Sequence, residues 1–342
     1  MLLPAAFLPG YICFIKIKAM KAAVIYQKGE MPQYVDFSEP APKNNDALLV
    51  TVKAVAIKHL DKSKASGKHY SSNELPGTGR IAGGDGVCLL PNGIRVYGMA
   101  INGMLAEKAL IYKDRIVKIP DGLDDATAAA LPNAVIGAAM GLKFKADIQP
   151  GDTVLINGAT GFTGRVAVQI AKYYGAGKVI ATGRNQQSLN QLLLLGADEI
   201  ITLNEDNDQF ESALTGIHQK APIDVVIDYL WGSTAEVILS ILKGNGSFTN
   251  KIRYVSVGAM SGEFIQLSAS NLRSADLQLT GSGLGAWTKQ QVNGLFKTIL
   301  PEMFGLAAEG RLKVETELVR LENITDLWNM EVPDGKRLVV IV

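Results

Sequence analysis

Two hydropathy patterns divide the chain. Between residues 20 and 130 the apolar residues come in short β-prone runs, at 22–26, 33–37, 47–56, 95–99 and 106–111. Turn-forming stretches such as Lys28-Gly29-Glu30 and Pro40-Ala41-Pro42 separate them. Residues 60–66 read as one or two helical turns. From residue 124 the pattern changes. Residues 124–142 are Ala-rich and helical, with Asp124 and Asp125 near the start and Pro132 predicted as a break. Solid apolar runs then alternate with helical stretches. Strands are predicted at 154–156, 178–182, 200–203, 225–229, 253–258 and 277–282. Helices are predicted from near Thr163 and at 186–195, 206–219 and 235–242. A helix over 290–309 and a strand at 338–342 close the chain. Solid runs suit strands buried on both faces. The fold class is therefore α/β: a doubly wound parallel sheet, binding its ligand at the strands' C-terminal ends, beside a β-rich, barrel-like unit.

The turn after the first of those strands carries the chemistry. Gly158, Gly161 and Gly164 fall at every third position of Gly158-Ala159-Thr160-Gly161-Phe162-Thr163-Gly164. A strand precedes the turn, and a helix and a second strand follow it within about 30 residues, the context that makes a glycine fingerprint informative. Glycine lets a backbone turn sharply and approach a pyrophosphate, and a helix N-terminus offers that anion free N–H groups. The sequence therefore predicts a dinucleotide site. The second strand ends Thr182-Gly183-Arg184-Asn185, with no carboxylate for a ribose 2′-hydroxyl. Arg184 stands where a guanidinium would pair with a 2′-phosphate, so NADP(H) is expected over NAD(H). A solvated surface arginine is the plain alternative. Gly258 and Ser282, at two further strand ends, join the expected cofactor contacts, with turn roles as the alternative.

Composition narrows the class. The 342 residues and 47% apolar content allow two domains. A net charge of +1 argues for neither nucleic acid nor an anionic membrane. Two cysteines, Cys13 and Cys88, exclude a disulfide framework and fit a reducing, cytoplasmic setting. Residues 1–19 are apolar but broken by Pro4, Pro9 and Gly10, and their lysines follow the apolar run, a poor signal peptide. Met20 is the expected translation start, with a weak export or anchoring segment as the alternative.

Three stretches bring in a resemblance: Ala128-Ala129-Ala130-Leu131-Pro132-Asn133, Pro150-Gly151-Asp152-Thr153-Val154-Leu155-Ile156, and residues 158–172. With the C-terminal Asp334-Gly335-Lys336-Arg337-Leu338-Val339-Val340, the chain from Met20 onward resembles the medium-chain dehydrogenase/reductase superfamily, in its zinc-free quinone oxidoreductase branch. The resemblance implies a GroES-like catalytic domain split around a Rossmann domain. The expected boundaries are an N-terminal extension over 1–19, a catalytic domain over 20–135, a Rossmann domain over 136–283 and a return segment over 284–342. A homodimer built on the strand at 277–282 is also implied.

The resemblance bears on metal as well. Zinc members carry a Gly-His-Glu stretch and a first cysteine ligand. Here Gly83-Gly84-Asp85 has glycine in place of histidine, and Lys58 falls near the cysteine position, so no metal is expected. Hydride transfer from NADPH to a quinone or α,β-unsaturated carbonyl follows. Candidates for the polar wall are Lys58, Asp61, Tyr70, Tyr97 and Asn133. Lys58 replaces the branch's usual asparagine and would set a cation by a developing oxyanion. Each has a plain reading: an exposed lysine, a helix cap, packing tyrosines, a turn asparagine. A trans-acting enoyl-thioester reductase and a non-catalytic NADPH-binding protein (crystallin-like or RNA-associated) remain as alternatives.

Overall fold

The computed structural model describes residues 18–72, 77–203, 207–244, 246, 249–333 and 335–342. The first part holds strands β1 (Ala19–Ile25), β2 (Gln33–Ser38) and β3 (Ala47–Ala56), helix α1 (His59–Ala65), and strands β4 (Arg80–Ile81), β5 (Asp85–Leu89), β6 (Arg95–Ala100) and β7 (Lys108–Lys118). Helix α2 (Asp125–Val135) leads out of it. Next come β8 (Thr153–Asn157), α3 (Phe162–Tyr173), β9 (Lys178–Gly183), α4 (Gln186–Leu194), β10 (Glu199–Thr202), α5 (Asn207–Lys220), β11 (Val225–Asp228), α6 (Gly232–Ile241), β12 (Ile252–Ser256), α7 (Ala269–Ser274) and β13 (Leu277–Gly281). The last elements are α8 (Lys289–Gly294), α9 (Leu300–Ala308), β14 (Glu315–Arg320) and β15 (Lys336–Ile341).

Strands β8 to β13 form a six-stranded parallel sheet in the order β10-β9-β8-β11-β12-β13. Val154, Leu155 and Ile156 are fully buried, as helices on both faces require. The strand order reverses between β8 and β11, and ligands bind outside the strands' C-terminal ends at such a point. Most of the other strands form a second six-stranded sheet, β14-β15-β3-β5-β6-β7, closed by an additional β3–β7 pairing. A three-stranded sheet, β2-β1-β4, adjoins it. Strand β15, from the chain's end, pairs antiparallel with β3: Val340 lies opposite Val55. The β-rich unit is thus built from both ends of the described chain.

Helix α2 packs against α3 on one side and against β3, β5 and β15 on the other. Ala128, Ala130, Leu131 and Ala134 are completely buried, so small side chains let it lie close to both units. Pro132 does not break it. Proline removes one backbone bond and costs about 3 kcal/mol in a helix interior. Burial among the two units outweighs that cost, and the backbone widens into a π-helical segment over Ile136–Lys145. The expected helix over 290–309 is similarly divided into α8, a π-helical turn at Leu295–Ile299, and α9. Strands β4, β5 and β14 had no counterpart among the predicted elements. Residues 1–17, on which the expected later start rests, lie outside the described residues, as does Asp334.

Candidate active site

The three glycines of the turn have different jobs. Gly158 has φ +84°, and Leu230 packs where its side chain would begin. A Cβ on Gly164 would meet the Ala159 backbone and, at 2.6 Å, the Gly158 carbonyl, so this glycine lets α3 lie against the strand. Gly161, the N-cap of α3, has nothing within 4 Å of a Cβ position. It leaves open space over the helix N-terminus, where the first N–H groups have no partner within the helix. A buried network holds the turn. Thr182 Oγ1 donates to Asn157 Oδ1 at 2.7 Å and accepts from the Gly158 N–H at 3.1 Å. Asn157 Nδ2 donates to Asp228 Oδ1 at 2.8 Å, and Tyr254 donates to Asp228 Oδ2 at 2.7 Å.

The other expected cofactor contacts sort by what surrounds them. Ala159 is buried, its N–H bonded to the Thr182 carbonyl at 2.7 Å. Gly183 packs on Thr160, and Gly258 packs close to the Tyr229 carbonyl. Asn185 caps α4, accepting from the Ser188 N–H at 2.9 Å. Arg184 is exposed at the end of β9, with no ion-pair partner among the described residues. Ser282 Oγ is buried and makes no hydrogen bond among the described residues.

Three of the five polar-wall candidates come together at the start of α1. Lys58 Nζ lies 2.6 Å from Asp85 Oδ1 and 3.3 Å from Asp61 Oδ2. The Asp61 carboxylate also accepts from the Lys58 backbone N–H at 3.0 Å, so it caps the helix and binds the ammonium at once. Tyr97 donates to Asp85 Oδ2 at 3.0 Å, its ring set edge-on to Phe304. Lys58 is 2% exposed. Burial alone would push its ammonium down, but the two carboxylates outweigh that and hold it above its ordinary value. Burial holds the Asp61 carboxyl above the usual range, against the pull of Lys58. Burial and then Asp85 push the Tyr97 phenol well up. Tyr70 stands apart: it is 75% exposed, lies beside His69, and brings its hydroxyl next to Gly283. Asn133 is half-buried in the last turns of α2.

The sequence reading missed two members of this cluster. Asp85 was noted only for the histidine absent beside it. Arg337, on β15, reaches from the β-rich unit to the N-terminus of α3. Its guanidinium lies 4.6 Å over the Phe162 ring, donates to Thr163 Oγ1 at 3.4 Å and to the Ile57 carbonyl at 3.5 Å, and leaves Nε without a partner among the described residues. Burial lowers it to about 10, against the opposing charges of Asp61 and Asp85. Tyr229 Oη, buried at the same junction near Gly137 and Val257, also has no partner among the described residues. The C-terminal basic pair was the available signal for Arg337, but only the pairing of β15 with β3 brings it here. A buried guanidinium with an Nε unpaired among the described residues, a helix N-terminus and the open space at Gly161 fit a bridging pyrophosphate. A cavity of 670 Å³ opens alongside, between α1 and Ala259 just beyond β12, with His59 on its wall.

A doubly wound sheet with this turn, joined to a β-rich unit across such a cleft, defines a two-domain dinucleotide-binding protein. A family profile described as zinc-binding dehydrogenase matches residues 163–300. A quinone oxidoreductase of Pongo abelii is 30% identical over 241 residues, covering 67% of this chain and 72% of that protein. A probable NADPH-dependent quinone reductase of Emericella nidulans is 26% identical over 359 aligned positions, covering 91% and 96%. The solved structure of a mycobacterial quinone oxidoreductase shares the fold, with a TM-score of 0.79 at 22% identity, covering 94% of this chain and 100% of that one. The chain belongs to the medium-chain dehydrogenase/reductase superfamily, in its quinone oxidoreductase-like branch.

The profile's description raises the question of zinc. Among the described residues no group of three His, Cys, Asp or Glu side chains is placed to hold a metal. At the positions the family uses, Lys58 presents an ammonium and Gly84 no side chain. An ammonium between two carboxylates is the reverse of a cation-binding donor set, and these residues do not fit a catalytic zinc.

Proposed function

We propose that the protein is a metal-independent oxidoreductase that uses NADPH to reduce a quinone or an α,β-unsaturated carbonyl. The observation that carries this reading is the open space at Gly161 over the α3 N-terminus, with Arg337 of the β-rich unit donating to Thr163 in that helix's first turn. The name of the Emericella nidulans relative supports NADPH as the reductant. When bound, NADPH supplies a hydride with its two electrons to the acceptor, and water entering the open cleft supplies the balancing proton.

The chain's own residues bind and orient. The first turn of α3 and Arg337 hold the pyrophosphate from opposite units, which fixes the reactive end against the cleft. Arg184 pairs with the 2′-phosphate. We assign Lys58 to holding Asp61 and Asp85 together, since its ammonium is enclosed and doubly paired, rather than to donating a proton. His59 is the cavity-lining side chain able to relay one. Partial desolvation, then the charges of Arg337 and Lys62, hold its imidazole below the ordinary value, so it is neutral at pH 7. A dimer through the outer edge of β13, beside exposed Leu272 and Phe264, completes the reading.

The test is loss of NADPH absorbance with quinone and enone panels, with NADH run alongside and a chelator present. The expected result is turnover with NADPH, indifferent to chelator, with NADH at least about tenfold poorer; Arg184→Ala should erase most of that preference by raising the KM for NADPH alone. Equal use of both cofactors would remove the role given to Arg184, and loss of activity to chelator would overturn the metal-independent mechanism.

A further inference from the structure

The cavity beside the cleft has two kinds of wall. Met31, Met260 and Trp328 make it apolar, while His59, Lys62 and Lys68 make it cationic. Glu30 is the one carboxylate among its described lining residues, so with His59 neutral that described lining keeps a net positive charge. Helix α1 explains the placement. Asp61 is buried against Lys58, while His59, Lys62 and Ala65, spaced three residues apart, line the cavity.

Among the described residues neither Lys62 nor Lys68 has an ion-pair partner, although eleven ion pairs hold lysines and arginines elsewhere among them. Lys62 is half-buried, and burial pushes its ammonium down with no carboxylate to offset it. The cofactor's phosphates do not account for these charges. No residue of the glycine turn, and neither Arg184 nor Arg337, lines this cavity; the segment that does, Ala259-Met260, follows β12 at the sheet's ligand edge. A neutral quinone would leave the half-buried Lys62 ammonium against an apolar wall without a counter-charge, with the exposed Lys68 beside it. The volume lies in the range of small-molecule sites.

We infer that the acceptor carries an anionic group, a carboxylate or a phosphate, which Lys62 and Lys68 bind while its apolar body lies against Met31, Met260 and Trp328. This rests on the reading of the cleft as the acceptor site. The anion has two sources: a carboxylate on the acceptor's own skeleton, or the phosphates of a carrier thioester whose arm leaves through the open mouth of the cavity.

Calorimetry on the NADP⁺-loaded protein tests this without turnover. The probes are hexanoate, its methyl ester and hexanoyl coenzyme A, none of which has a double bond to reduce. An anionic probe should bind roughly tenfold or more tightly than the ester, and Lys62→Glu should remove that advantage while leaving ester binding and the melting temperature within error. Preference for hexanoate identifies a skeletal carboxylate. Preference for the thioester, lost again in Lys68→Glu, identifies the carrier phosphates. Equal binding of all three probes, or an anion preference that survives both charge reversals, overturns the inference. In that case reduction of neutral quinones by NADPH still upholds the proposed function. Anion binding with no acceptor reduced would sink the proposed function and, with it, the assignment of the anion to an acceptor.

Discussion

Lys58 is a buried charge whose value depends on its partners. Its ammonium is enclosed between Asp61 and Asp85, at 3.3 and 2.6 Å. Removing one member of a buried ionic cluster costs roughly 3–5 kcal/mol, because the charges left behind are uncompensated. Lys58→Met leaves two carboxylates side by side. The Asp61 carboxyl, already raised by burial against the pull of Lys58, then rises further. The folded variant binds a proton more tightly than its unfolded chain, so its stability falls as pH climbs through the range above the ordinary carboxylate value. Denaturant unfolding should show the full loss at pH 7 and partial recovery at pH 5; the same loss at both pH values would contradict the assignment. The sequence made Lys58 and Asp61 visible through resemblance to a family pattern, and offered Tyr97 as a candidate with packing as its plain reading. It hid Asp85 and Arg337, because an ion cluster is closed by strand pairing. Nothing local to Arg337 tells that β15 will set it beside α1 and α3.

At the scale of elements, α3 and its turn separate ligand binding from folding. Gly161→Ser places a side chain in open space, and serine is at least as good an N-cap as glycine. The variant should keep its melting temperature while the Kd for NADPH rises about tenfold or more, measured by cofactor fluorescence. Gly164→Ala should instead destabilise the protein by roughly 1–3 kcal/mol, since its Cβ meets the Ala159 backbone. If Gly161→Ser left NADPH binding unchanged, the space over α3 would not be the phosphate site. The parallel strands were legible because both faces are covered, which writes them as unbroken apolar runs. Strand β5, Asp85–Leu89, was not: it is short, and Gly83, Gly84 and Gly86 in and around it read as turn. Strand β14 alternates exposed and half-buried residues on a sheet edge and carries three charges in Glu315–Arg320, a pattern that suits a surface loop equally well. Pro132 misled for the opposite reason, since a local rule lost to the burial of the whole helix.

At the scale of the molecule, the two units share one core. Ala54, Val87 and Tyr97 of the β-rich unit and Ile156, Val166 and Ile170 of the parallel sheet and its helix belong to a single cluster, joined through the alanines of α2. No helix among the described residues is long and apolar enough to cross a membrane. The shared core joins β15 to α3 across the cleft, so a dinucleotide bound as proposed would be gripped from both units at once. The most direct test of this account is the structure of the protein crystallised with NADPH. The account predicts the pyrophosphate over Gly161 and the first turn of α3, within hydrogen-bond reach of Arg337 Nε, and the 2′-phosphate beside Arg184, with the reactive end facing the cavity that His59 and Ala259 line. A pyrophosphate elsewhere, or one bound on α3 while Arg337 stays turned away from it, would contradict the claim that both units build the cofactor site.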